Sequence, residues 1–78
     1  MTEEEIYKKS LALFGGCAIC GNNTVAMHHI RFGACGRHTY MGNVIPLCDY
    51  HHKAVHRNNR IWQPILIEMI NERLKNEQ

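Results

Sequence analysis

Two short-spaced pairs, Cys17-Ala18-Ile19-Cys20 and Cys48-Asp49-Tyr50-His51, constrain this chain more than any other feature in it. Each pair has two residues between its members, and the pairs are separated by about the length of a metal-binding finger. A single C-x-x-C is ambiguous between metal binding and redox chemistry. A second pair with the same spacing points to a tetrahedral zinc held by three sulfurs and one imidazole, because thiolate and imidazole are soft to borderline ligands. The chain needs such a staple. At 78 residues it is one small domain, and an apolar core of that size alone gives marginal stability. Cys35 is the alternative fourth ligand, flanked by Gly33 and Gly36, which would permit the turn. It has no close-spaced partner, so the spacing favours His51. Free thiols or a disulfide are the remaining alternative, and the paired spacing argues against them.

The opening stretch "MTEEEIYKK" is acidic and then basic, without the apolar segment of a signal peptide, and no apolar run is long enough to span a bilayer. The expectation is a cytoplasmic, reducing location, where cysteines hold metal or stay free more often than they pair.

The local signals predict an ordered series of short elements. Thr2 and Glu5 form a capping-box pattern ahead of a helix from about Glu3 to Phe14, which Gly15-Gly16 would stop. "TVAMHHI" and "VIPLC" have the composition of strands, with Pro46 at an edge or end. The glycine-rich "RFGACGRHTYMGN" between them reads as loop. Asp49 can begin a helix running to about Arg57, which "RNNR" ends. Pro64 fits the first turn of a last helix, about 63–76, with Ile65, Leu66, Met69, Ile70 and Leu74 on its apolar side. The fold class expected is small α+β in a single domain, with a core of about 17–58 and a flanking helix at each end.

All six histidines fall between His28 and His56. With His51 given to zinc, His52 and His56 remain four residues apart, on one face of the central helix. Such a pair can begin a metal site, although an arbitrary pair at this spacing is more often ordinary surface. What raises its interest is the doublet His28-His29 on the preceding strand. Hydrolysis of a phosphodiester with one metal needs ligands for the ion and a base for the water, and imidazole suits both tasks near neutral pH. Adjacent histidines could divide these tasks. A regular strand would point them to opposite faces, so both serve one site only where the strand ends or bulges.

The order of C-x-x-C, "HHI", Asn43 in "GNVIPLC", and "CDYHHKAVH" resembles the HNH endonucleases of the His-Me finger, or ββα-metal, class. The resemblance covers about Cys17 to His56. It implies a ββα-metal core with a zinc knuckle, and a metal-dependent DNA endonuclease that nicks or cuts both strands. It implies that His29 is the general base, and that His28 is a metal ligand where many members carry aspartate. It implies that His52 and His56 complete a three-histidine site like that of colicin-type DNases. Asn43 would brace the loop between the strands. Products would carry 5′-phosphate and 3′-hydroxyl ends. The structural zinc is similar to that of many phage and bacterial members, and the compact form resembles small phage-encoded nucleases. The chain departs from the usual pattern in having His51 where those members have a fourth cysteine. Three imidazoles should bind a borderline ion such as zinc or nickel most tightly, while magnesium or manganese are further candidates for turnover.

Charge supports a nucleic-acid partner. Between Cys17 and Trp62 the chain carries Arg31, Arg37, Lys53, Arg57 and Arg60 against Asp49 alone, whereas acidic residues outnumber basic ones in the flanks. These five could contact flanking phosphates of DNA with little sequence preference. The rival reading is a non-catalytic, zinc-finger-like nucleic-acid-binding or adaptor protein. It accounts for the cysteines and the basic residues but leaves His28, His29, His52, His56 and Asn43 without a common purpose. The apolar "IWQPILIEMINERL" should pack on the first helix, with a homodimer interface as the alternative.

Overall fold

The first helix, α1 (Glu3–Phe14), starts and stops where the sequence signals it. Thr2 is in extended backbone, its hydroxyl accepts from Glu5 N at 3.2 Å, and Glu5 returns the capping-box contact to Thr2 N. Gly15 ends the helix in the left-handed region at φ 73°, where a side chain would be strained, and its N–H donates to Leu11 O. Gly16 is required for a different reason. A Cβ there would stand 2.8 Å from Gly21 O and 2.9 Å from Asn22 O, so the backbone of the cysteine turn closes directly against it.

A computed structural model describes residues 2–33 and 36–76, with the side chains of residues 32, 33, 36 and 37 outside the description. Two strands, β1 (Val25–His29) and β4 (Val44–Cys48), pair antiparallel from Val25 opposite Cys48 to His29 opposite Val44. Between them, β2 (Phe32–Gly33) and β3 (Gly36–Arg37) form a second, minimal antiparallel pair within the stretch expected to be loop. Helix α2 (Asp49–Arg57) follows β4 directly, and α3 (Asn59–Asn76) follows after Asn58. The fold is therefore small α+β, with three helices and one two-stranded antiparallel sheet beside the short pair among the described residues.

Pro46 sits inside β4 without disrupting it. A strand residue's N and C=O point the same way, and Pro46 O accepts from Ala18 N at 2.9 Å, on the side away from β1. The donor that proline lacks is thus one the β1–β4 ladder does not use. The same hydrogen bond seats the cysteine turn on the sheet.

The last helix differs from the sequence expectation of 63–76. It begins at Asn59, so Pro64 lies in its second turn rather than its first. Both Ile61 N and Trp62 N donate to Asn58 O at 3.0 Å, which starts the helix as soon as α2 has ended. Pro64 and Arg60 are both exposed, so the carbonyl that proline leaves unbonded can turn to water. Ile30, Ile45, Leu47, Val55, Leu66 and Ile70 are fully buried and form the core between sheet, α2 and α3. Arg73 ties α3 to α1, with its guanidinium 5.0 Å from the Phe14 ring and one nitrogen donating to Leu13 O. No helix among the described residues is long and apolar enough to cross a membrane.

Candidate metal centres

Cys17, Cys20, Cys48 and His51 lie together, although the two pairs are far apart in sequence. Cys20 Sγ is 3.7 Å from Cys48 Sγ, and His51 Nδ1 is 3.7 Å from Cys17 Sγ and 3.2 Å from Cys48 Sγ. Zinc–sulfur bonds of about 2.3 Å and zinc–nitrogen bonds of about 2.0 Å give tetrahedral edges of about 3.8 Å and about 3.5 Å. The observed separations are close to those edges, and the donor set is consistent with a zinc site. Cys35, the alternative ligand, lies outside the described residues.

The electrostatics of this cluster suit a cation. Burial alone would raise the Cys17 thiol, but backbone donors from Cys20, Cys48 and Ile19 bring it down to about 6. Its neighbour Cys20 goes the other way. The Asn22 backbone favours its thiolate, yet desolvation and the Cys17 and Cys48 sulfurs together push it up. Several thiolates cannot crowd together without a counter-charge, and a divalent ion supplies one.

A second cluster lies on the other side of Val55. Successive α2 residues are about 100° apart, so His51 and His52 diverge around the buried Val55, while His56 returns to the face of His52. His52 Nε2 and His56 Nε2 are 3.1 Å apart. The His28 ring, from β1, lies 5.2 Å from each of theirs, centroid to centroid. One nitrogen from each of the three falls within 4.8 Å of the others. His28 is 2% exposed, and its Nε2 is buried with no hydrogen-bond partner among the described residues. Three imidazoles grouped in this way could hold a metal ion.

Burial, reinforced by His52, His56 and His29, holds the His28 imidazole down to about 4, and burial also lowers His52. His28 therefore stays neutral at pH 7, as a ligand must. Its folded pKa lies below the unfolded 6.5, so the unfolded chain binds the extra proton between those values. The stability that neutral His28 contributes is present above about pH 6.5 and is lost as pH falls towards about 4, on the order of 3 kcal/mol. Urea melts with only the cysteine site loaded should show this decline, and His28→Leu should remove most of it.

Adjacent His29 is also buried but meets different neighbours. The β1–β4 register runs unbroken through both histidines, and the chain then bends at Ile30. Accordingly His28 faces α2, while His29 meets Tyr7 edge-on at 6.0 Å and has its Nε2 2.9 Å from Thr39 Oγ1. The strand ends at the doublet without a bulge, and the two rings have different neighbours.

Asn43, 1% exposed, braces the loop that returns from β1. Its Oδ1 accepts from Arg31 N at 2.8 Å, and its Nδ2 donates to Arg31 O and His38 O at 3.1 and 2.7 Å. Its own carbonyl accepts from Ile30 N. Asn43→Ala removes the three side-chain bonds and opens a buried gap, at an expected cost of about 2–4 kcal/mol in a urea melt.

Among the described side chains, Arg31, Lys53, Arg57 and Arg60 are exposed. Lys53 and Arg57 share the outer face of α2 with the 76% exposed Tyr50, bordering a shallow pocket of about 220 Å³. Lys53 is paired with Asp49 at 3.1 Å. The Arg37 side chain lies outside the described residues. No local sequence pattern signals the contacts of Thr39, whose hydroxyl meets His29 ten positions away and Glu3 36 positions away.

No protein-family model matches the chain, and comparison with curated proteins and with solved structures gives no match for it either.

Proposed function

We propose that the protein is a metal-dependent DNA endonuclease of the HNH type, with β1, β4 and α2 as its ββα-metal core. The observation that carries this reading is the convergence of His28, His52 and His56, with the His28 Nε2 buried and unpartnered. A bound divalent ion would supply Lewis acidity at the scissile phosphate and at the leaving oxygen. His28, His52 and His56 would hold that ion. His29, at the end of β1, takes the proton from the attacking water. Asn43 keeps the returning loop from collapsing onto the site, and exposed Arg31, Lys53, Arg57 and Arg60 attract the phosphate backbone, as does Arg37 by its place in the sequence. Binding of this kind is salt-sensitive and largely independent of sequence.

The rival, a zinc-stabilised adaptor, needs one metal ion per chain, whereas the nuclease needs two. Supercoiled plasmid with magnesium, manganese, nickel or zinc tests the activity directly. Wild type should nick or linearise it, and His29→Ala should be slower by about a hundredfold to ten-thousandfold, the usual contribution of a general base. A folded wild-type protein that leaves plasmid intact with every metal would overturn the proposal. Equal cleavage by His29→Ala would remove His29 from the role of base.

A further inference from the structure

The surroundings of His29 come from the first turns of α1 and from the loop after β3, and they form a directed hydrogen-bond chain. Thr39 Oγ1 donates to Glu3 Oε2 at 3.2 Å and lies 2.9 Å from His29 Nε2. The three first-turn glutamates of α1 have separate partners: Glu4 pairs with Lys8, Glu5 closes the capping box, and Glu3 meets Thr39. Tyr7, one turn after Glu3, closes on the His29 ring from the same helix.

A threonine hydroxyl has a single proton to donate. With that proton directed to the Glu3 carboxylate, Oγ1 meets His29 Nε2 through a lone pair, so Nε2 must carry the hydrogen. The reverse arrangement would set a hydroxyl lone pair against a carboxylate oxygen at 3.2 Å. Glu3 stands in the first turn of α1, at the positive end of the helix dipole. A neutral imidazole with its hydrogen on Nε2 has its basic lone pair on Nδ1.

We propose that Glu3 and Thr39 are positioning residues for His29, fixing its tautomer and ring orientation so that Nδ1 is the proton-accepting nitrogen. This rests on the reading of His29 as the base. It gives α1, outside the metal-binding core, a direct part in the reaction.

Two measurements on the zinc-loaded full chain test it. In plasmid cleavage, Thr39→Val should lower kcat by about tenfold to a hundredfold, a fraction of what the base contributes, with KM nearly unchanged. Thr39→Ser, which restores the hydroxyl, should recover most of that loss, and Glu3→Gln should cost only a few-fold because its amide oxygen still accepts. In nitrogen-15 spectra of the imidazoles at neutral pH, His29 should be the Nε2–H tautomer in wild type and a mixture in Thr39→Val. An Nδ1–H tautomer in wild type overturns the proposal, as does an undiminished kcat in Thr39→Val while His29→Ala is inactive. If wild type cleaves no DNA with any metal, the nuclease reading fails by itself. The spectra still decide the chain: an Nε2–H signal lost in Thr39→Val supports it, and one unaffected by the substitution overturns it.

Discussion

Cys48→Ser is expected to leave the chain unfolded at neutral pH with or without added zinc, and a chelator should do the same to wild type. Cys48 is at once the last residue of β4, the partner of Val25 in the sheet, and the residue that starts α2. A metal held there and by Cys17 and Cys20 clamps the α1–β1 turn to the β4–α2 junction. Structural zinc in small fingers contributes an apparent 10–16 kcal/mol or about that at neutral pH. A core of this size supplies roughly 3–5 kcal/mol. On that balance a zinc ion held by Cys17, Cys20, Cys48 and His51 would decide whether the chain folds. Serine binds zinc far more weakly than thiolate, and it adds a buried hydroxyl beside sulfur. Circular dichroism and amide dispersion read the outcome. A Cys48→Ser chain that melts cooperatively at the wild-type temperature, or a wild type whose melt ignores the chelator, would show that zinc does not hold this fold.

The second large effect separates the two metal sites. The double variant His52→Ala, His56→Ala should keep the fold, lose one metal ion per chain, and cleave DNA below detection. Both side chains lie on the accessible side of α2, one half-buried and one exposed, so their removal takes little from the core. Alanine also favours helix over histidine. Loss of residues that merely orient metal ligands costs about 10- to 100-fold in affinity or activity. Removing two of three ligands should exceed that. Elemental analysis of chains loaded with zinc and nickel would show the fall from two ions to one. A variant that retains both ions would mean that His28, His52 and His56 do not form a site.

Much of this arrangement is legible in the sequence, for local reasons. The capping box of Thr2 and Glu5, the C-x-x-C turn and the i, i+4 pair of His52 and His56 are defined within a few residues, so spacing alone locates them. The grouping of Cys17 and Cys20 with Cys48 and His51 is non-local, but the ligand requirement of one ion makes it readable. Pro64 misleads because proline favours the first helical turn, whereas here Asn58 O starts α3 five residues earlier and solvent tolerates the broken bond. The doublet His28-His29 is ambiguous because sequence gives its alternation but not which face each ring takes. The Glu3–Thr39–His29 chain is invisible, since nothing local to any of the three predicts the other two.

Helix α2 is only nine residues long, yet it presents His51 to one cluster and His52 and His56 to the other, with Val55 anchored between them. On the proposal that both clusters hold metal, that sharing would impose an order of assembly. A zinc-starved chain would carry every histidine of the second cluster without the folded helix that brings them together. The cysteine site would then have to close before the histidine site has a shape, and the supply of one ion would govern whether the other has anywhere to bind.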